Sequence, residues 1–148
     1  MNKTLEKFGY PQSEIKHFQH WSVLLRPQQV TLGSLVLIER SNATAFSELS
    51  EGAMNEFASV IRGIETCLQA AFAYDKINYL MLMMVDPHVH FHVIPRYRSS
   101  RKFLNMEFKD EYWPKPANLS GNIGLSDKQM KQLGDFLSDN WLKTIKSS

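Results

Sequence analysis

Cysteine is nearly absent from this sequence of 148 residues, because Cys67 is the single example. One cysteine excludes a disulfide within the chain and any cysteine-rich metal site. No apolar run approaches the ~20 residues that a membrane-spanning helix needs, and residues 1–7 lack the apolar centre of a signal peptide. A net charge of +2 is too small to indicate a nucleic-acid-binding protein. We therefore expect a cytoplasmic protein with no membrane or nucleic-acid partner.

Length and composition indicate one ordinary globular domain. Hydrophobic residues make up 43% of the chain and charged residues 22%, which is typical of a protein with a real core. The sequence contains no internal repeat and no low-complexity tract. Periodicity and turn residues predict strands at 20–26, 34–40 and 76–85, a helix at 50–73, and a final helix from Ser126 to about Lys143.

The segment 76–85 is apolar on both faces, which is typical of a central strand that is covered on each side. Asp86-Pro87 follows it as a very short turn, so we expect an antiparallel hairpin with the next strand. Cys67 lies beside the apolar stripe of the 50–73 helix. A packing role is expected for it, since free cysteine usually behaves as a small hydrophobic residue.

Strands followed by helices, without regular alternation, indicate an α+β fold with an antiparallel sheet. Between residues 98 and 123 the periodicity fails, and prolines with isolated aromatic residues predict an ordered loop or flap. We therefore divide the chain into residues 1–100, which carry the main site, and residues 101–148, a loop and helix packed on the same domain.

His88, His90 and His92 alternate with valine and phenylalanine in a short run. On a strand, alternate side chains share one face, so the three imidazoles would point the same way at intervals of about 6.6–6.8 Å. Three interpretations follow: an exposed polar strand face without chemistry, a metal site, or a catalytic group that acts on phosphorus. A core has no use for such a row, which disfavours the first.

A metal site is possible because imidazole is a common zinc ligand. However, a straight strand hardly lets three alternate histidines converge on one ion, and only Asp86 lies nearby in the sequence. Nucleophilic catalysis fits better, because neutral imidazole is a good nucleophile near neutral pH. His90 is then the natural nucleophile between two donors. A backbone carbonyl that accepts from its Nδ1–H would leave Nε2 free to attack.

The run 88–94 matches the His-x-His-x-His-x-x signature, with apolar x, of the histidine triad (HIT) family, and Pro95-Arg96 is also familiar in that family. The resemblance extends back through the glycine-led segment 33–38 and covers roughly residues 20–97. It implies a HIT-like α+β fold: an antiparallel sheet of about five strands with one long helix packed on it, and a C-terminal helix.

The resemblance also implies a function. The chain resembles nucleotide hydrolases and nucleotidyl transferases that act on an α-phosphate, with His90 as the nucleophile that forms a covalent nucleotidyl-imidazole. His88 and His92 match the residues that hold the phosphate and assist the leaving group. A third histidine rather than glutamine favours hydrolysis of a nucleoside phosphoramidate or dinucleoside polyphosphate. A purine nucleotide is the family default, without metal or other cofactor.

Similarity to the family further implies a homodimer formed by the long helix and an adjacent strand. The aromatic-rich tail, with Trp113 and Trp141, would then reach the partner's active site.

The chain departs from the family where many members hold the ribose hydroxyls with a polar residue. Leu25 and Arg26 occupy that place and offer no carboxylate or amide. Arg26 can instead meet a phosphate, and Gln28, Gln29 or Asn78 can act as polar substitutes. This departure leaves open an alternative function, a nucleotide-binding module with weak or no catalysis.

Overall fold

The computed structural model describes residues 2–147. Its main sheet is antiparallel throughout and has five strands: Glu14–His17 (β1), Trp21–Leu25 (β2), Leu35–Glu39 (β3), Lys76–Leu80 (β4) and His90–Arg96 (β5). Their order across the sheet is β1-β2-β3-β5-β4. The predicted α+β class with an antiparallel sheet of about five strands is therefore confirmed.

Two long helices, Glu51–Phe72 (α2) and Asp127–Ser147 (α3), begin where the sequence predicts. The Ser50 side chain caps α2 by accepting from the Ala53 N–H. At the start of α3, Ser126 and Gln129 form a reciprocal capping box: each backbone N–H donates to the side chain of the other residue. Local hydrogen bonding thus fixes both helix starts, and the predicted helices are confirmed.

One face of the sheet packs against α2 and α3 to form the main core. Trp21, Val23, Leu37 and Val93 come from the sheet and are fully buried. The buried residues of α3 in the same core are Leu133, Leu137 and Trp141. The C-terminal helix therefore completes the core.

Cys67 belongs to this core. Its Sγ donates to the Leu137 carbonyl at 3.4 Å, and burial raises the pKa of the thiol to about 12. An uncharged, buried thiol is a packing residue, as the sequence predicts.

The opposite face of the sheet is covered by an N-terminal segment that sequence patterns do not predict. A short helix, Lys3–Lys7 (α1), brings Leu5 and Phe8 onto an apolar patch of Leu24, Val36 and Ile38. The Asn2 side chain accepts from the Leu5 N–H and donates to the Glu39 and Ser41 carbonyls. A helix of five residues carries no periodic signal, so tertiary contacts hold this segment in place.

The prediction of a central strand over 76–85 is wrong. β4 ends at Leu80 and lies at the edge of the sheet, and residues 81–89 form an irregular connection. Met84 and Val85 are 85% and 84% exposed, so the apolar run does not mark burial on two faces. β4 and β5 do pair as an antiparallel hairpin, but this long connection joins them instead of a tight turn at Asp86-Pro87.

Residues 98–123, predicted as an ordered loop or flap, also contain regular secondary structure. They contain a small hairpin of Arg101–Phe103 (β6) and Met106–Phe108 (β7), and the remainder is a loop. Leu104 and Asn105 make its turn with φ of 54° and 61°. The division at residue 100 stays a prediction, and its end residues Met1 and Ser148 lie outside the described part of the chain. None of the described helices is long and apolar enough to cross a membrane.

Candidate active site

Strand β5 carries His90 and His92 on the sheet face beneath the N-terminal segment. Cross-strand pairing with β3 sets Ile38 opposite His90 and Val36 opposite His92. His88 is not on this strand, because it lies in a bend before β5 begins. The predicted row of three histidines on one straight strand is thus corrected to two strand residues and one loop residue.

His90 is the middle histidine, and its neighbour fixes its tautomer. Its Nδ1 lies 2.6 Å from the backbone carbonyl oxygen of His88. A carbonyl only accepts, so Nδ1 donates and must carry a proton. In the neutral ring the lone pair is then on Nε2, as a nucleophile at this position requires.

His92 has the opposite hydrogen bond. The Arg26 Nε–H donates to His92 Nδ1 at 3.2 Å, and arginine has no acceptor, so Nδ1 must be the unprotonated nitrogen. Burial, followed by the positive charge of Arg26 and by His90, lowers the pKa of His92 to about 4. At neutral pH the ring is therefore uncharged and carries its proton on Nε2.

The outer face of the site is built by the N-terminal segment. Thr4 Oγ1 lies 2.9 Å from His88 Nδ1, and Lys7 Nζ forms an ion pair at 2.7 Å with Asp86. The Phe8 ring lies over the other two histidines, with centroids 6.0 Å from His90 and 5.9 Å from His92. These contacts hold the irregular 81–89 connection against the sheet.

The two strand histidines are almost fully buried, with 2% of His90 and 7% of His92 exposed. Neither Nε2 atom of His90 or His92 has a hydrogen-bond partner among residues 2–144, whose side chains the structure describes. No side-chain nitrogen or oxygen in that range is both buried and without a partner. Both Nε2 atoms lack a hydrogen-bond partner among these side chains, as the proposed contacts with a substrate require.

Arg26 and Gln28 lie at the His92 end of the site. Besides the contact with His92, Arg26 donates to the Gln28 carbonyl at 2.6 Å and to the Leu119 carbonyl at 3.3 Å. The Gln28 side chain is half-buried and donates to the Ser120 carbonyl. The structure thus brings Arg26 against the triad and places Gln28 next to it.

The other polar candidates have different surroundings. Gln29 is fully buried, and its side-chain amide bridges the backbone of the β2–β3 turn at Arg26, Gly33 and Ser34. Asn78 lies on β4 opposite Ile94 and accepts from Arg96 at 3.0 Å. Neither residue contacts a histidine of the triad.

Sequence reasoning missed Thr4 and Phe8, because only folding brings the first residues of the chain to the triad. The suggestion that Trp141 reaches a partner's site is also wrong: its side chain is 3% exposed and packs in the core of its own chain. Trp113 is half-buried, with Arg98 over its ring at 5.9 Å. No group of three histidine, cysteine or acidic side chains in the described chain is arranged to hold a metal ion.

Comparison with known proteins identifies relatives. The HIT domain family model matches residues 10–99. A histidine triad protein from Marinobacter aquaeolei VT8 is 17% identical over 97% of this chain and 96% of its own, with a TM-score of 0.73. One from Sinorhizobium meliloti 1021 is 18% identical over 95% of each chain, with a TM-score of 0.72.

A zinc-bound histidine triad family protein from Mycobacterium smegmatis is 12% identical over 98% of this chain and 94% of its own, with a TM-score of 0.67. Curated protein sequences give no significant match. The structural similarities show the fold, whereas the family model covers more than half of the sequence and includes the three histidines. The chain therefore belongs to the HIT domain family, whose membership supports a nucleotide-binding or hydrolase-type module.

Proposed function

We propose that this protein is a nucleotide hydrolase that cleaves at the α-phosphate of a nucleoside phosphoramidate or dinucleoside polyphosphate. The observation that carries the proposal is the 2.6 Å contact between His90 Nδ1 and the His88 carbonyl. This contact leaves the unpartnered Nε2 of His90 with a lone pair, which is the requirement for a nucleophile at neutral pH.

The reaction has two balanced steps. In the first, the Nε2 lone pair of His90 forms a bond to the α-phosphorus, while the bond from phosphorus to the leaving nitrogen or oxygen breaks. The leaving group takes that electron pair and a proton. In the second, the oxygen of water forms a bond to phosphorus, one proton of that water returns to the group that protonated the leaving group, and the electron pair of the P–N bond returns to His90. The products are a nucleoside 5′-monophosphate and the neutral histidine.

The surrounding groups support this chemistry. Attack makes the His90 ring positive, and the His88 carbonyl stabilises that charge through the Nδ1–H. The Nε2–H of His92 is placed to donate to a phosphoryl oxygen. His88, half-buried at the edge of the site, is the proposed proton donor to the leaving group. No cofactor enters these steps.

The proposed substrate contacts are Arg26, Gln28 and Asn78. Arg26 and Gln28 border the His92 end, where a phosphate or sugar would lie beside the triad. Asn78 stays a predicted contact through its amide N–H groups, because its oxygen already accepts from Arg96. A purine nucleotide remains the proposed substrate class.

A binding module with weak or no catalysis is the second candidate. Arg26 favours it, because this residue stands where many family members have a polar ribose contact and its guanidinium is already engaged by two carbonyls and His92. Weak ribose binding would leave the substrate poorly placed for attack.

Trapping of the intermediate separates the two candidates. The protein is incubated in excess over an adenosine 5′-phosphoramidate that is radiolabelled at phosphorus, then denatured with base. We expect label that stays on the protein in base and is released by acid, as a P–N bond requires. The His90→Ala variant should retain no label, whereas His17→Ala, which changes an exposed histidine away from the site, should label normally.

Two results would contradict the proposal. Nucleotide that binds reversibly without covalent label or turnover would identify the binding module. Turnover that depends on zinc, with metal bound by the wild-type protein and lost in His88→Ala, His90→Ala and His92→Ala, would identify a metal hydrolase.

A further inference from the structure

Arg26 has surroundings unlike those of a surface cation. Arg26 is only 7% exposed. Each of its three side-chain nitrogens donates a hydrogen bond to a different group. Nε donates to His92, Nη1 to the Gln28 carbonyl and Nη2 to the Leu119 carbonyl. The two carbonyls each bind one terminal nitrogen of the guanidinium. They therefore fix the orientation of its plane and the direction of the Nε–H bond.

We propose that Arg26 is a positioning residue that fixes His92 as the Nε2–H tautomer, so that adjacent histidines present a proton and a lone pair to the same substrate. Neutral imidazole exists in two tautomers, and the partner of one nitrogen decides which is populated. Among the described residues, Arg26 is the only partner of His92 Nδ1. The catalytic meaning of this inference rests on the proposed function, but the tautomer itself does not.

Two neighbouring neutral histidines can adopt combinations of tautomers that would prevent the proposed reaction. The rings of His90 and His92 are 5.1 Å apart and perpendicular, so an attacked phosphate would lie near both Nε2 atoms. With lone pairs on both, the second nitrogen would repel the phosphoryl oxygens. With a proton on both, neither could attack. The His88 carbonyl and the Arg26 Nε–H impose opposite tautomers and thereby exclude both cases.

Arginine suits this role because it offers only donors and keeps its charge at neutral pH. An amide or hydroxyl in its place can also accept, and would permit the Nδ1–H form of His92. The guanidinium also discourages a second proton on the ring, so His92 donates a hydrogen bond to the phosphoryl oxygen without transferring its proton.

Long-range ¹H–¹⁵N correlation spectra of histidine side chains test the inference without substrate. His90 and His92 signals are assigned with His90→Gln and His92→Gln. In the wild-type protein near neutral pH we expect a protonated Nε2 on His92 and a protonated Nδ1 on His90. Arg26→Met should shift the His92 nitrogens toward a mixture of tautomers and leave His90 unchanged. Arg26→Lys, which keeps a donor, should restore part of the preference, and Arg62→Met on the exposed face of α2 should change neither.

Kinetics distinguish positioning from direct substrate binding. Loss of one oriented donor lowers kcat by up to about 10²–10³-fold, so Arg26→Met should lower kcat with little change in KM. A raised KM with an unchanged His92 tautomer would overturn the inference and leave Arg26 with the role of a substrate contact alone. An Nδ1–H form of His92 in the wild-type protein would also overturn it, even if Arg26→Met did not fold. A tautomer change in a protein that turns over no nucleotide would support the inference and contradict the proposed function.

Discussion

At the residue scale, the three histidines of the triad are chemically different because each Nδ1 has a different partner. His90 donates to a backbone carbonyl, His92 accepts from a guanidinium, and His88 lies beside a threonine hydroxyl. Residue type alone does not distinguish them. The hydrogen-bond partners leave a lone pair on Nε2 of His90 and a proton on Nε2 of His92.

Single substitutions in the triad should have unequal effects. We expect His90→Ala to abolish turnover of an adenosine 5′-phosphoramidate, because no other group offers the attacking lone pair. His88→Ala and His92→Ala should each cost about 2.7–4 kcal/mol of transition-state stabilisation, as expected for one lost donor. Steady-state kinetics check this order, with circular dichroism to verify folding. An equal loss at all three positions, together with loss of bound zinc, would indicate a metal site.

The buried, neutral state of His92 should make stability depend on pH. Its pKa is about 4 in the folded protein and near 6.5 when unfolded. The unfolded chain therefore binds the proton more readily, and the contribution of His92 is complete above about pH 6.5 and lost as the pH falls through 4. This loss amounts to about 3 kcal/mol.

Urea unfolding at about pH 7 and about pH 4.5 measures this effect. The free energy of unfolding of the wild-type protein should be lower at the acidic pH. The decrease should be smaller for His92→Asn. His17→Asn serves as the control because His17 is exposed. An equal pH dependence of stability in the wild-type protein and His92→Asn would show that folding does not lower the pKa of His92.

The sequence was sufficient to find the triad, because alternating histidines among β-forming residues are a local signal. It was also sufficient to expect a carbonyl partner for His90. It could not show that Arg26 contacts His92, since 66 residues separate them. It equally could not place Thr4, which meets His88 across 84 residues. Partners that lie far apart in the chain leave no pattern in a single sequence.

At the element scale, local signals predicted helices better than strand positions. Ser50 and the Ser126–Gln129 capping box marked both helix starts because capping is made within a few residues. The apolar run 76–85 was misread because hydrophobicity does not reveal whether a strand is central or at an edge. Strand order depends on pairing partners, and β4 has only β5.

Two glycines in the long helices should respond oppositely to alanine. A Cβ on Gly63 of α2 would lie 2.5 Å from Trp141 of α3, whereas one on Gly134 would lie 3.8 Å from Leu25. Gly63→Ala should therefore destabilise by about 1–3 kcal/mol through overpacking. Gly134→Ala should stabilise by up to ~1 kcal/mol through helix propensity. Thermal and urea unfolding measure both, and a stabilising Gly63→Ala would contradict the close packing of the helices.

A buried ion pair joins the end of β5 to the C-terminal loop. Arg96 Nε donates to Asp110 at 2.7 Å, and the two side chains are 5% and 3% exposed. Asp110→Asn should destabilise by about 3–5 kcal/mol, because it leaves a buried cation without its counter-charge. Asp135→Asn removes an exposed pair with Lys131 and should cost less than about 1 kcal/mol. Equal urea midpoints for the two variants would contradict this difference.

At the scale of the whole molecule, the C-terminal helix is part of the core, so a chain cut near Tyr97 would lose Leu133, Leu137 and Trp141 from the interior. The tail is predicted to reach the partner's active site, where it would help to set leaving-group specificity, and Trp113→Ala in the full chain tests this role. A change in preference between a phosphoramidate and a dinucleoside polyphosphate would support the role, and an unchanged preference would exclude it.

The predicted homodimer is tested on the full chain. Light scattering should give twice the 17.1 kDa mass of one chain, because family resemblance implies an interface of the long helix and an adjacent strand. In a two-fold interface each patch meets its own copy. A mass of one chain at all concentrations used for activity would contradict the dimer.

His88 is held by a threonine near the start of the chain, whereas His90 and His92 are held by the sheet. Chain segments near a terminus commonly open before the core unfolds. Heating should therefore detach the N-terminal helix first, free His88 and abolish the proposed activity while the sheet and the two long helices are still intact. Activity measured against temperature should fall below the midpoint of the circular dichroism transition, and cooling from that interval should restore it in full.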